Sequence, residues 1–381
     1  MATSTIKENF TSLNFHHVDS FNTLNAYAKR SKFEREFKSE FSNTNFKGTV
    51  DELGFNSKIP YGEGHFVLVG ADYKKFEQDD SIAKDFDNKG IFISNHNSFT
   101  GIIGGKTMLT ESLRYDSYST FDNEFTGKIG LKHIHEKIKG LVTSINYGTA
   151  YTVPTLYQLY APASSFGGFT SPIGNANLAP ETTKSFDISL AYKDFSLSYF
   201  NTKIDNLIQY TSGYNNVKGE SKIDGLEASY SSNISDNFLF NINYTYLFNA
   251  EDEEGNTLLR RAESTVNASI DYYGFSKLHL GLDASYVGNR SDIIYNPDFS
   301  TSDTDTGNYT LINFTADYQI TKDMQVYGKI ENLSDEVYQS VYGYATSPSQ
   351  VLIDDETTLY FMFFSLWLCH RTHCHTFSLT Q

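Results

Sequence analysis

The sequence of 381 residues has only two cysteines, Cys369 and Cys374, both near its C-terminal end, so no disulfide framework organises the rest. No stretch approaches about 20 consecutive apolar residues, which excludes a helical membrane span. Proline is scarce at 7 and tryptophan occurs once. Basic residues number 30 against 46 acidic ones, and the net charge of −16 leaves no cationic footprint for a nucleic acid. An acidic balance does not by itself name a partner.

What the sequence does have is aromatic side chains, with 27 Tyr and 30 Phe, on a chain whose mean hydropathy is negative. Aromatic and Thr enrichment favours strands, because such side chains fit a pleated, half-buried surface. Period-two alternation is clearest between Thr183 and Leu333. Phe186, Ile188, Leu190 and Tyr192 alternate with Asp187, Ser189 and Ala191. Phe238, Phe240, Ile242, Tyr244 and Tyr246 face away from Asn241, Asn243 and Thr245. The same pattern recurs at Val266–Tyr272, Leu278–Tyr286, Ile312–Tyr318 and Met324–Ile330. One face of each strand is dry and the other wet.

Connections alternate in length. Lys193-Asp194, 232–237, 273–277 and 320–323 are short, whereas 206–224, 249–261, 288–308 and the stretch from Ser334 onward are long and polar. That rhythm is the one expected of tight periplasmic turns and long external loops. Tyr192, Phe195, Tyr230, Phe238, Tyr272, Tyr273 and Phe275 gather where strands meet short turns, as an interfacial girdle would, or as aromatics packing strand ends. Residues 1–150 repeat the theme less regularly, at Leu24–Ala28, His65–Tyr73, Leu109–Tyr118 and Leu141–Tyr151. The charged stretch Lys29–Lys38, with Phe33, Phe37 and Phe41 at a spacing of four that both periods allow, is also read as strand. Roughly sixteen strands result, with no linker that marks a second domain.

Several segments resemble, in order, the barrel of TonB-dependent outer-membrane receptors, from about Leu109 to Tyr344. Thr110-Glu-Ser-Leu-Arg-Tyr-Asp-Ser-Tyr118 followed by Phe121 is similar to the family's "glRyDxyxxF" strand and turn. Tyr147-Gly-Thr-Ala-Tyr-Thr-Val-Pro-Thr-Leu-Tyr-Gln-Leu-Tyr160 resembles its "YgtaykaPtlyqLy" stretch, and Gly174-Asn-Ala-Asn-Leu-Ala-Pro-Glu181 its "GNpNLkPE" signature. Ile204-Asp-Asn-Leu-Ile208, Gly225-Leu-Glu227, Asn243-Tyr-Thr-Tyr246, Tyr286-Val-Gly288 and Asn332-Leu-Ser-Asp-Glu-Val-Tyr338 complete the series. The resemblance implies an all-β, antiparallel transmembrane β-barrel of about 22 strands, incomplete here, with a lumen filled by a plug. It also implies import of a metal chelate (ferric siderophore, haem or cobalamin) across the outer membrane, energised by a TonB complex, with no covalent chemistry and no resident cofactor. A passive, porin-like channel is the alternative reading.

Against that pattern, no plug domain, TonB-interacting segment or signal sequence is recognisable. The expectation is a partial receptor barrel over 1–348 that starts at an internal Met. An aberrant tail over 349–381, out of frame, replaces the closing strand. The tail holds a mostly apolar run from Leu359 to Leu368 and then Cys369, His370, His373, Cys374 and His375, a soft-metal set of irregular spacing that is not read as a metal site. His133 and His135 share one strand face, read as polar residues lining the lumen. The acidic pairs Asp79-Asp80, Glu251–Glu254, Asp303 and Asp305 lack EF-hand spacing and read as solvated loops. No Ser, His and Asp set suggests catalysis. The ligand-contact candidates are loop aromatics, Tyr157, Tyr160, Phe166, Phe169, Tyr214 and Tyr295, which offer flat surface of low entropy, or which merely pack the loops.

Overall fold

The computed structural model describes residues 3–38, 43–79, 82–166, 169–296 and 300–357. Phe41, Asp80, the apolar run from Leu359 and the Cys369–His375 set lie outside the described residues. The described residues form 23 strands and one short helix, and 17 of the strands belong to one antiparallel sheet. The all-β, antiparallel expectation is met.

The first strands are β1 (Thr3–Val18), β2 (Thr23–Lys38), β3 (Asn43–Gly62), β4 (His65–Gln78), β5 (Lys84–Thr100), β6 (Gly105–Tyr118), β7 (Glu124–His135) and β8 (Leu141–Thr152). There follow α1 (Leu156–Tyr160), the short β9 (Ser164–Phe166) and β10 (Phe169–Ser171), then β11 (Glu181–Tyr192) and β12 (Phe195–Asp205). Next come the short β13 (Ile208–Tyr210) and β14 (Tyr214–Asn216), then β15 (Glu220–Ser235), β16 (Phe238–Glu251), β17 (Ser264–Phe275) and β18 (Leu278–Val287). The short β19 (Ser291–Tyr295) and β20 (Thr301–Asp305) precede β21 (Tyr309–Thr321), β22 (Met324–Glu331) and β23 (Gln350–Thr357).

The chain divides into two compact units, one of Met1–Ala191, Tyr199–Ile223 and Glu251–Asn256, the other of Tyr192–Ser198, Asp224–Ala250 and Thr257–Gln381. In the first, β1 to β8 pair in succession and β8 pairs with β11. Because side chains alternate across a strand, the register sorts them into two faces. One row reads Ala26, Phe55, Ala71, Ile91, Tyr115 and Phe125 across β2 to β7. This apolar face lies open: Ile91 is 59% exposed, Leu113 63% and Ile129 50%. A water-soluble sheet would cover such a surface.

The opposite face of the first unit is polar and internally bonded. Arg114 donates to Asp72 from both terminal nitrogens (2.7 and 2.9 Å), and to Asp116 from Nε (2.7 Å) and Nη2 (2.7 Å). Asn88 adds a bond to Asp116 at 3.0 Å. A Cβ on Gly90 would stand 2.0 Å from Arg114 Nη2, so only glycine leaves room for the guanidinium. The Leu-Arg-Tyr-Asp order of 113–116 thus has a local reason: Leu113 and Tyr115 go to the apolar face, Arg114 and Asp116 to the polar one.

The second unit repeats the division. Phe240, Ile270, Leu282, Phe314, Ile330 and Val351 form one apolar row across β16, β17, β18, β21, β22 and β23. On the polar face Asn241 bonds Ser269 (3.2 Å), Asn313 bonds Asp283 (2.7 Å), and His279 bridges Asp271 and Asp317 at 2.8 and 2.9 Å. Among the described residues the remaining sheets are all two-stranded, so none packs as a second layer over Phe240, Ile242 and Leu280. Phe238 meets Tyr272 at 4.6 Å and Tyr272 meets Phe275 at 5.2 Å, where the strands reach their short turns. Positive φ at Lys193 (52°) and Lys277 (66°) closes two of those turns.

Residues 350–357, at the head of the 349–381 segment, pair in register with β22, since backbone bonding asks only for an extended chain. One expectation changes. His133 and His135 do not join the polar face. His133 pairs with Thr107 and lies on the row side of Leu109 and Leu131, at the end of the apolar face near the turn 136–140. Two residues apart on a strand, both histidines follow their apolar neighbours, and one ring nitrogen of each bonds a hydroxyl: His133 Nδ1 that of Thr107 (2.8 Å), His135 Nε2 that of Thr143 (3.1 Å), while His133 Nε2 is buried without a partner.

Candidate functional site

The long connections of the first unit build a platform of loop aromatics. Pro154 is fully buried and presets the backbone ahead of α1. Thr155 caps the helix in a capping box: its hydroxyl accepts from Gln158 N (3.1 Å), and its own N–H donates to Gln158 Oε1 (2.8 Å). This turns Leu156 and Leu159 inward, 6% and 4% exposed, and leaves Tyr157 and Tyr160 at the edge. Leu156 packs with Ile82 and Phe86, and Phe76, Tyr118 and Phe121 surround them.

The 174–181 signature is a clasp. Gly174 approaches the helix end so closely that a Cβ would meet Ala161 N at 2.5 Å. Asn175 N donates to Gln158 O (2.8 Å), and its side-chain amide donates to Tyr214 O (3.1 Å). Asn216 accepts from Ala179 N (2.9 Å) and donates to Ala179 O (3.0 Å) and Asn206 O (2.6 Å). The Glu181 carboxylate accepts from Ile208 N at 2.7 Å, so its role is to hold the 206–219 hairpin, not to do chemistry. Leu178, 5% exposed, is the apolar pin of the clasp.

The clasp brings α1 and β14 together. Tyr157 contacts Tyr214 edge-on at 6.2 Å and Phe46, on β3, at 5.6 Å. Tyr214 in turn contacts Tyr210 at 5.1 Å. Burial raises the Tyr157 hydroxyl pKa, with Tyr210 adding to it, and burial likewise raises Tyr214. Both phenols therefore stay neutral, offering O–H donors and ring faces instead of charge. The Lys84 ammonium lies 5.5 Å from the Tyr160 ring centre.

Of the six candidates, Tyr157 and Tyr214 are in direct contact and Tyr160 borders the same apolar cluster. Phe166 and Phe169 pair through their backbones in the β9–β10 hairpin, and their side chains lie outside the described residues. Tyr295, 50% exposed, belongs to the β19–β20 hairpin of the second unit. Sequence reasoning missed Phe46 and Tyr210. Phe46 sits in a strand end and carries no motif, and Tyr210 lies four residues before Tyr214, a spacing that becomes a contact only once β13 and β14 pair.

Known proteins match this architecture. The chain shares 32% identity over 248 residues with the vitamin B12 transporter BtuB of Vibrio cholerae serotype O1, covering 62% of this chain and 38% of that protein. It thus spans less than half the length of that curated relative. Among solved structures, a ferric enterobactin receptor (PfeA) mutant from Pseudomonas aeruginosa superposes with a TM-score of 0.74 at 17% identity, over 93% of this chain and 62% of that one. The siderophore receptor PirA from Acinetobacter baumannii gives 0.74 at 13% identity, over 94% and 63%. At such identities these two speak for the fold alone. The model of the family described as "TonB dependent receptor-like, beta-barrel" matches residues 3–333, and the chain, with its open apolar face, bonded polar face and clasped loops, belongs to that family.

Proposed function

We propose that this chain forms part of the barrel of an outer-membrane receptor that imports a metal chelate, a ferric siderophore, haem or cobalamin, with energy supplied by a TonB complex. In this reading the apolar face meets lipid and the polar face lines the barrel interior. The long connections lie outside the cell, and Tyr157, Tyr160 and Tyr214 make first contact with the ligand. No bond of the ligand is made or broken; the chemistry is binding and gated passage. The observation that carries the reading is the aromatic platform itself. The 174–181 clasp draws α1 and the 206–219 hairpin together to present ring faces, and Phe46 of β3 adds a third ring, in a chain whose family is that of these receptors.

The test is growth of a strain lacking the gene on ferric siderophores, haem or cobalamin as sole source, followed by uptake of the labelled chelate with and without the TonB complex. Uptake that needs both gene and TonB complex is expected. Uptake that continues unchanged without the TonB complex would instead identify a passive channel. Replacing Tyr157 and Tyr214 by alanine should weaken chelate binding by about tenfold, from the loss of two buried ring contacts.

A further inference from the structure

The apolar face of the first unit is interrupted at one place. Register sets Ile59, Val67, Asn95, Glu111, Ile129 and Tyr147 in one row across β3 to β8, so a carboxamide and a carboxylate share a row that is otherwise aliphatic or aromatic. Asn95 donates to Glu111 Oε2 at 3.0 Å. The Tyr61 hydroxyl lies 2.7 Å from Oδ1 of both Asn95 and Asn97, and His65 Nδ1 lies 3.1 Å from Asn97 Oδ1. Tyr61, His65, Asn95 and Asn97 thus find partners in one another. Glu111 is only half served: it is exposed, its Oε1 has no donor, and among the described residues no lysine or arginine pairs with it.

Glu111 is also the middle one of the outward residues of β6, with Thr107 and Leu109 on one side and Leu113 and Tyr115 on the other. Four residues to either end are about 13 Å of strand and, at the tilt of a membrane strand, about 10 Å of height. The carboxylate therefore sits near the centre of an apolar band about 25 Å tall, where an ionisable group without a counter-charge is costly. Beside it the wall is hollowed. A cavity of about 550 Å³ is lined by Ile93, Leu113, Ile129 and Tyr147, with Asn95 and Glu111 on its side toward the 101–104 turn, and Gly127 keeps it open by having no side chain. Lys128 and Ser112 also border it, but alternation turns both side chains to the polar face.

We propose that this place on the outer wall is a docking site for a membrane-embedded protein segment that presents a lysine. The aliphatic stem of that lysine lies in the hollow and its ammonium meets the free Glu111 oxygen. The inference rests on the apolar face meeting lipid in the receptor proposed above. Phospholipid head groups stay at the edges of the band, about 10 Å away, so the counter-charge comes from a side chain. A second copy of the chain offers none: from the row of His65 to that of Ala71, the apolar face of β4 to β7 has neither lysine nor arginine. An alkyl stem with a cationic tip matches an apolar hollow with a carboxylate at one end.

The experiment reconstitutes the 381-residue chain in phosphatidylcholine vesicles and follows, by energy transfer between labels, its association with a membrane-spanning leucine–alanine helix carrying one central lysine. The same helix with norleucine or with glutamate at that position is the comparison. Variants are Glu111→Gln and Glu111→Lys, and far-UV circular dichroism confirms strand content in each. The parent should bind the lysine helix saturably, about tenfold or more tightly than the norleucine helix, and Glu111→Gln should lose that preference. Glu111→Lys should instead select the glutamate helix, a rescue that a merely structural role of Glu111 would not give. Equal binding of the lysine and norleucine helices by the parent, or binding of neither, overturns the docking site. Self-association of the parent that Glu111→Gln abolishes also overturns it, by making the occupant a second copy. A Glu111-dependent preference for phosphatidylethanolamine vesicles without helix binding overturns it in favour of a lipid. Because no transport is measured, failure here leaves TonB-dependent uptake standing, and failure of uptake leaves helix docking standing.

Discussion

Removing Arg114 should cost the fold more than removing any single outward-facing side chain. Among the described residues the guanidinium is the one cation paired with Asp72 and Asp116, whose side chains are 9% and 12% exposed, and it meets them at 2.7–2.9 Å through four donor contacts. In Arg114→Leu two nearly buried carboxylates face each other with no counter-charge. Breaking a buried pair in this way costs about 3–5 kcal/mol. The Arg114 side chain is itself 31% exposed, so screening lowers the expectation to about 2–3 kcal/mol. The triple variant Arg114→Leu/Asp72→Asn/Asp116→Asn removes the orphaned charge and should return to within about 1 kcal/mol of the parent. Urea unfolding in phospholipid vesicles, followed by circular dichroism, reads both numbers as midpoint shifts at constant slope. A single variant within about 0.5 kcal/mol of the parent, or a triple variant no better than the single, would show that the Asp72–Arg114–Asp116 cluster is solvated and that the argument from burial is wrong.

Neighbouring residues on one strand should respond oppositely to charge: Ile242→Arg, on the apolar face, is expected to lose about 2–4 kcal/mol in vesicles, while Asn243→Arg, exposed on the polar face, stays near the parent; equal losses by urea titration would contradict the assignment of faces. Asn216→Ala deletes three side-chain bonds of the clasp and should open the 206–219 hairpin, read as faster proteolytic nicking there, with a local loss of about 1–3 kcal/mol. In the 252–256 turn, Asp252 is held below the usual carboxylate range first by the Asn256 side chain and then by the backbone N–H groups of Asn256 and Glu254. Its folded pKa is depressed, so its contribution is complete above the unfolded value of about 3.9 and is lost as pH falls through the lower folded value. Amide protection at Glu254 and Asn256 should drop over that acid window and be pH-independent in Asp252→Asn.

Much of this molecule was readable because a strand's side-chain period is local. Alternation at 186–192 or 238–246 needs no knowledge of a partner to announce one dry and one wet face, and the short and long connections announce which strand ends lie together. The ordered segments around 110–118 and 174–181 named the family before any coordinates. What the sequence could not state was anything set by cross-strand register or by loops folding onto one another. His133 and His135 share the face of Leu131 by alternation alone, but that Thr107 and Leu109 stand beside them is decided by the frame in which β6 pairs with β7. Tyr210 meets Tyr214 only because β13 pairs with β14, and Tyr157 meets Tyr214 where Gly174, Asn175 and Asn216 draw separate connections together, whereas Tyr295, equal to them by composition, sits in the other unit. The cluster of Arg114, Asp72 and Asp116 is likewise a set of contacts across strands. Periodicity is written residue by residue and so belongs to the sequence; pairing partners depend on which strands meet, and only the tertiary structure decides that.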